Sequence, residues 1–393
     1  MIVEGARVVT GTDGSRGSPS TWVRVERGTI VEVGAGAAPA GDDDRLDAGG
    51  RWLGPGFVDA HIHGGFGVDV MDARAEDLDR VARGLVRHGV TSFLPTTYTA
   101  SAERTRAALD AIESARRRQD DGPRASAEIL GVNMEGPFLS VQRKGAHPEE
   151  ELRDGSLALL DSFLDAALVR VMTVAPERPG AAGVMARLVE RGVVVSIGHS
   201  DADAAGVREA IVRGARAVTH LFNGMRPLHH RDVGVVGAAL LAPGLLCELI
   251  ADGVHVSAEA MDLAWRMKGP RGLILVSDAG PHAGEGRPPE AAARLSDGTL
   301  ASSVCMADTG LRRLRAATGA DVPALWPAVS GNAAELLGLS GKGRVVPGAD
   351  ADLVVLDEDG NVDATFVRGE LVHERPGARP LTRRRAPSPR ASG

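Results

Sequence analysis

Between residues 56 and 277, apolar runs of strand length alternate with stretches of helical period, the pattern of a parallel sheet covered by helices. Eight such runs are present: Gly56 to Ile62, Thr91 to Thr96, Glu128 to Met134, Val169 to Val174, Val193 to Ile197, Ala215 to Thr219, Leu246 to Ala251 and Leu273 to Ser277. Eight parallel strands predict a closed (β/α)8 barrel of the TIM type. A doubly wound sheet would show the same alternation, and the placement of the polar residues decides between the two. Barrels carry their catalytic groups at the C-terminal ends of many different strands. Here His61 and His63 end the first run, Glu135 the third, His199 the fifth, His220 the sixth and Asp278 the eighth. All six are thereby predicted to share one rim.

The chain ends read differently. Ala6 to Val9, Trp22 to Val25 and Thr29 to Val33 are short strands without helical period, and Asp352 to Leu356 and Thr365 to Val372 repeat that pattern far downstream. Residues 1–53 and 346–375 are therefore expected to form one small β domain flanking a barrel domain at 54–345. The stretch 376–393, with Thr382-Arg383-Arg384-Arg385 and several Pro and Ser, has few apolar side chains to bury and is expected to be disordered.

Composition narrows the function classes. A formal net charge of -7 over 393 residues argues against nucleic acid as the main partner, since such proteins carry a basic face for phosphates. A small anionic substrate needs only a few local cations. Cys247 and Cys305 make no disulfide framework, so a reducing cytoplasm is the expected compartment. No signal peptide is read in the first residues. The long apolar tract from Val233 to Ile250 is broken by Pro243 and carries Glu248, which fits a buried helix and strand better than a membrane span.

His61 and His63 alternate along a strand, so they share a face and can share a cation. By itself this spacing would also fit a half-buried strand. Two imidazoles, His199 and His220, with the carboxylate of Glu135 make a three-ligand set that leaves a position open for water on a divalent ion. Such an ion makes hydroxide available near neutral pH. His61 and His63 offer a second subsite, with Glu135 bridging and Asp278 near both. Asp278 is then the expected general base, and afterwards the acid that protonates the leaving amine. As a helix N-cap, it would have a structural role instead.

The words around these residues resemble the N-acetylglucosamine-6-phosphate deacetylases of the amidohydrolase superfamily. The resemblance rests on Pro55-Gly56-Phe57-Val58-Asp59-Ala60-His61-Ile62-His63-Gly64-Gly65, Glu135-Gly136-Pro137-Phe138-Leu139, Lys144-Gly145-Ala146-His147, Gly198-His199-Ser200, Thr219-His220-Leu221-Phe222-Asn223-Gly224-Met225, Ala251-Asp252-Gly253-Val254-His255 and Val276-Ser277-Asp278-Ala279. It spans nearly the whole chain.

That resemblance implies a metal-dependent hydrolase that releases acetate from N-acetylglucosamine 6-phosphate in amino-sugar recycling. It implies a divalent ion, zinc or iron, one or two per subunit, because family members differ in keeping the paired histidines. It also implies a homodimer. His147 is implied to contact the acetyl carbonyl, Arg231 and His255 the phosphate with part of that pocket supplied by the dimer partner, and Ala146, Asn223 and Gly224 the substrate. Leu300-Ala301-Ser302 matches a substrate-contacting segment that usually ends in Gly, and the serine is a departure. Other readings are a galacto-configured substrate, a dihydroorotase-like cyclic-amide hydrolase and a catalytically silent barrel scaffold. The second of these usually bridges its metals with a carboxylated lysine, and no lysine occurs in any of the eight runs. The third usually lacks a ligand or the base, and none is missing here.

Overall fold

The computed structural model describes residues 1–11, 21–41, 43–122 and 125–384. Eight parallel strands curl into a barrel: β1 (Phe57–Ile62), β2 (Val90–Thr97), β3 (Val132–Glu135), β4 (Val169–Val174), β5 (Val194–Ile197), β6 (Ala215–Val218), β7 (Leu246–Ile250) and β8 (Leu273–Val276). Each strand pairs in parallel with the next along the chain. The seam between β8 and β1 is drawn together by the Asp278 N–H, which donates to the His61 carbonyl at 2.9 Å, and by the Ser277 N–H, which donates to Asp59 Oδ1 at 3.2 Å. The closed barrel of the sequence reading is what the chain forms, and a doubly wound sheet is not.

Run three departs from the expectation of one continuous strand. It is divided into Glu128–Ile129 and Val132–Glu135. The cause is local: Gly131 has φ 133°, and a Cβ there would lie 2.5 Å from the Leu168 carbonyl oxygen. Only glycine lets the chain step across at this point.

The helices follow from their apolar spacing. In Ala75–Leu85, Leu78, Val81, Ala82 and Leu85 are buried at intervals of three and four, which is one face of a helix laid on the barrel wall. Burying each leucine contributes about 1.5–3 kcal/mol. Two of the helices that follow rim loops start on side-chain caps, with Asp203 accepting from the Gly206 N–H and Ser257 from the Ala260 N–H. The tract from Val233 to Ile250 is a buried helix, Gly234–Leu241, followed by β7.

Side chains alternate along the strands between two clusters. On β7, Leu246 and Ile250 join an interior group with Val58, Leu94 and Ile274, while Cys247 and Leu249 face the helices outside. Helix Asn332–Leu336 closes the interior group from below through Ala333 and Leu336. The rim end of the lumen is polar, where Thr219 Oγ1 lies 2.9 Å from Thr173 Oγ1 and 2.7 Å from Ser196 Oγ.

Both chain ends contribute to one further sheet. Its order is Glu370–Glu374, Val362–Val367, Leu353–Leu356, Trp52–Pro55, Ile2–Val8, Thr21–Glu26 and Thr29–Ala35. The two halves meet where Trp52–Pro55 runs antiparallel to Leu353–Leu356, over a core that includes Val3, Val23, Leu53, Val355 and Phe366. The expectation of disorder from 376 onward needs correction for its first part. Leu381 is buried, and Thr382–Arg384 adds a short antiparallel strand to Arg45–Asp47, so backbone pairing orders a segment whose composition alone offered little to bury. Residues 385–393 lie outside the described residues. No helix of the described residues is long and apolar enough to cross a membrane.

Candidate metal centre and substrate cleft

The strand ends bring His61, His63, Glu135, His199, His220 and Asp278 together at the centre of the rim, all buried. Three of them sit in the left-handed region of backbone space that non-glycine residues avoid: His199 at φ 45°, His220 at φ 28° and Asp278 at φ 47°. Strain of this kind is kept where the surroundings hold a side chain in a required direction. Gly224 is part of that constraint. At φ +55° its absent Cβ would stand 2.7 Å from His199 Nδ1, so a side chain there would push the ring away.

Glu135 divides its carboxylate between two pairs of imidazoles. Its Oε1 lies 2.7 Å from His220 Nε2 and 3.0 Å from His199 Nε2, and those two nitrogens are 3.1 Å apart. Its Oε2 lies 3.2 Å from His63 Nε2 and 3.7 Å from His61 Nε2, which are 3.2 Å apart. Asp278 Oδ1 completes the second group at 3.2 Å from His63 Nε2 and 3.7 Å from His61 Nε2.

The far side of each ring decides what the near side offers. His199 Nδ1 donates to the Arg143 carbonyl at 2.7 Å, His63 Nδ1 to the Thr96 carbonyl at 3.1 Å and His61 Nδ1 to Glu248 Oε2 at 2.9 Å. With the ring proton held there, each Nε2 presents a lone pair to its neighbours. Lone pairs facing one another and two carboxylates suit a shared cation, and the residues therefore fit one or two divalent ions.

Without a cation the cluster draws protons instead. Burial opposes charge on His63, but the hydrogen bonds to Asp278 and Glu135 outweigh it and raise the ring to about 9. His61 is raised well above the ordinary histidine value for the same balance of burial against Glu248 and Glu135, and His220 is raised by Glu135 against burial. Glu135 is held well below the usual carboxylate range despite its burial, chiefly by His199, with the His147 ring as a further hydrogen-bond donor. Asp278 is also lowered against burial, by His63, His61 and His220.

His147 can be grouped with Glu135 and His199 as a third ligand set, but its hydrogen bonding argues otherwise. The Thr99 N–H donates to its Nδ1 at 3.2 Å, so the proton of the neutral ring sits on Nε2. Burial and the neighbouring His199 push its pKa down to about 4, which keeps it neutral. Nε2, 3.5 Å from Glu135 Oε2, is then a donor and no metal ligand.

A cleft opens beside the cluster, reaching Ala146, His147, Asn223, Gly224, His255, Leu300 and Ala301. A second lobe adjoins it at Glu135, Ala146, His147 and Ala301, and Ser302 lines that lobe. His255 Nδ1 is held 2.7 Å from Asp252 Oδ2. Asp252 in turn accepts from the Val254 and His255 N–H groups, each at 2.8 Å, and from Ser303 Oγ at 2.9 Å. Arg231 is the predicted residue that does not join the others. It is exposed on the loop after β6, with Nη1 2.9 Å from His230 Nε2, and does not line the cleft.

Sequence reasoning missed Glu248, Asp59 and Asp252. Along the chain Glu248 only interrupts an apolar tract, yet a carboxylate alternating with inward-facing Leu246 and Ile250 is the signal that marks it. Asp59, two residues before His61 on the same strand face, accepts from the Ser277 and His61 N–H groups, and burial raises it to about 6.

Comparison with known proteins places this geometry. The Amidohydrolase family matches residues 52–372. The N-acetylglucosamine-6-phosphate deacetylase of Bos taurus is 41% identical over 364 residues, covering 86% of this chain and 87% of that one. The enzyme of the same name from Lysinibacillus sphaericus is 38% identical over 346 residues, covering 84% and 87%. Among solved structures, an Asp-to-Ala variant of the Mycobacterium smegmatis deacetylase, in complex with N-acetyl-D-glucosamine 6-phosphate, superposes with a TM-score of 0.85 at 34% identity, covering 95% of this chain and 99% of that one. With such likeness along almost its entire length, the chain belongs to the amidohydrolase family and, within it, to the N-acetylglucosamine-6-phosphate deacetylases.

Proposed function

We propose that this chain hydrolyses the acetamide of N-acetyl-D-glucosamine 6-phosphate to glucosamine 6-phosphate and acetate. The observation that carries the reading is the division of Glu135 between two imidazole pairs, with Asp278 facing them and a cleft leading to His255. The relatives and the substrate complex of the M. smegmatis neighbour support the same substrate.

His199, His220 and Glu135 would hold one divalent ion, and His61, His63 and Asp278 with Glu135 a second; zinc or iron suits this donor set, at one or two ions per subunit. When bound, a divalent ion supplies Lewis acidity and lowers the pKa of water. The remaining work belongs to the protein's own groups. Asp278, ionised because its pKa is lowered, takes a proton from the attacking water at its carboxylate and returns it to the leaving amine nitrogen. His147 donates its Nε2–H to the acetyl oxygen as negative charge builds there, and being neutral it does so without giving the proton away. Ala146, Asn223, Gly224, Leu300, Ala301 and Ser302 line the two lobes where the sugar and acyl group would lie.

His255, which lines the cleft, takes the phosphate. Arg231, exposed and outside its own cleft, is read as reaching the phosphate of a partner subunit, which makes the working form a homodimer. The free thiols of Cys247 and Cys305 suit a reducing cytoplasm.

The test is a screen of acetylated sugar phosphates for acetate release. Turnover of N-acetylglucosamine 6-phosphate well above its galacto isomer and above unphosphorylated N-acetylglucosamine is expected. Metal-loaded protein that releases acetate from none of them would overturn the reading.

A further inference from the structure

Glu248 takes no part in the reaction proposed above, yet it is among the most deeply placed carboxylates of the barrel. It stands at the middle of β7, 2% exposed, on the inward face between Leu246 and Ile250. Taking a carboxylate out of water costs several kcal/mol unless it is paired or hydrogen-bonded. Among the described residues no Lys or Arg pairs with it. Its Oε2 instead accepts from His61 Nδ1 at 2.9 Å and from the His220 N–H at 3.3 Å.

We infer that Glu248 is the positioning residue of the second metal subsite: by accepting the His61 Nδ1 hydrogen it fixes the tautomer whose Nε2 lone pair faces the ion shared with His63 and Asp278, and so decides whether that subsite fills. This rests on the metal-dependent reading of the preceding section. A neutral imidazole has one proton and two nitrogens that can carry it. Without an acceptor at Nδ1, the proton of His61 would be drawn to Nε2, which the negative charge of Glu135 and Asp278 faces with Oε2 and Oδ1 each 3.7 Å away. The ring would then point a hydrogen at the place of the ion.

Of the four rings, only His61 is held by a charged acceptor, and His220 Nδ1 has no hydrogen-bond partner among the described residues. His199 and His63 donate to neutral backbone carbonyls, whereas His61 donates to a carboxylate. A charged acceptor makes the opposite nitrogen a stronger donor to a metal, and removing such a partner typically costs about 10–100-fold in metal affinity. His199, His220 and Glu135 Oε1 reach one another without Glu248 between them, its link to that subsite being the longer bond to the His220 backbone.

The test compares wild type, Glu248→Gln, Glu248→Leu and His61→Ala as full-length protein, with metal content measured after dialysis against a chelator and Zn²⁺ affinity by calorimetric titration. Folding is checked by circular dichroism and Tm. Two ions per chain are expected in wild type. In Glu248→Leu and His61→Ala the weaker ion should be lost or bound about 10–100-fold less tightly, with Glu248→Gln between these and wild type. The tighter ion should stay, and His61→Ala combined with Glu248→Leu should be no worse than His61→Ala alone. If the Leu variant folds poorly, the Gln variant carries the test, since it must weaken the second ion while sparing the first. Two ions at wild-type affinity in both Glu248 variants would overturn the inference, as would loss of both ions together or a wild type whose single ion His61→Ala does not release. A wild type that binds no metal at all overturns it together with the function it rests on.

Discussion

The Thr99 N–H donates to Nδ1 of His147 at 3.2 Å, and this one bond determines which nitrogen of that ring carries the hydrogen. With Nδ1 occupied as an acceptor, Nε2 must carry the hydrogen. Replacing His147 by Phe keeps a ring in the pocket and removes the donor. A fall in kcat of about 10²–10³, with metal content unchanged, is expected for loss of one donor to a developing oxyanion. Loss of the metal in this variant would instead make His147 a ligand.

Asp278→Asn separates a base from a cap. Asn keeps size and hydrogen bonding but accepts no proton at neutral pH, so kcat should fall by about 10²–10⁴ in folded, metal-loaded protein. Asn caps a helix about as well as Asp, so a purely structural role predicts little change. Measuring kcat across pH with metal content in parallel decides between them.

Glu135→Ala removes the carboxylate shared by both imidazole pairs and should strip both ions and abolish turnover while the barrel stays folded. His199→Ala should release the tighter ion with similar loss of activity. His61→Ala should cost less if one ion suffices for turnover. Metal analysis beside circular dichroism checks each case.

Metal uptake should weaken as pH falls. In the metal-free protein His63 is raised to about 9, so below that pH the ring carries a proton that must leave before Nε2 can bind an ion. The sign follows: affinity at the His61–His63 subsite rises with pH up to about 9, and binding at pH 7 releases protons. Calorimetric titrations in two buffers of different ionisation enthalpy count those protons, and a release of none would contradict the assignment.

Removing the proposed anion contacts should act on KM. His255→Ala and Arg231→Ala are expected to raise KM for the phosphorylated sugar steeply and to change that for the unphosphorylated one little. Asp252→Asn should act in the same direction more weakly, because the ring of His255 stays while the partner 2.7 Å from its Nδ1 loses its charge. Equal losses on both sugars would remove these residues from the phosphate pocket.

By itself, the sequence determined the barrel and the membership of its rim. Eight apolar runs and the period-two spacing of His61 and His63 are local properties of the backbone, and placing a ligand-type residue at a strand's C-terminal end puts it on the rim whatever the rest of the chain does. Only the tertiary structure decided how the rim residues meet. Which oxygen of Glu135 faces which imidazole pair depends on the stagger of strands as far apart in sequence as Glu135 and His220, 85 residues, and no local period encodes that distance. The same holds for Glu248, which along the chain only interrupts an apolar tract and in space is the partner of His61, 187 residues away. Arg231 shows the converse: the family resemblance assigns it to the phosphate, while folding leaves its side chain outside the cleft of its own subunit. Thr382–Arg384 is ordered by pairing with the distant Arg45–Asp47, a backbone contact that side-chain composition does not report. Period and residue type fix what each strand offers at its end, and closure of the sheet fixes the distances at which those offers become a site.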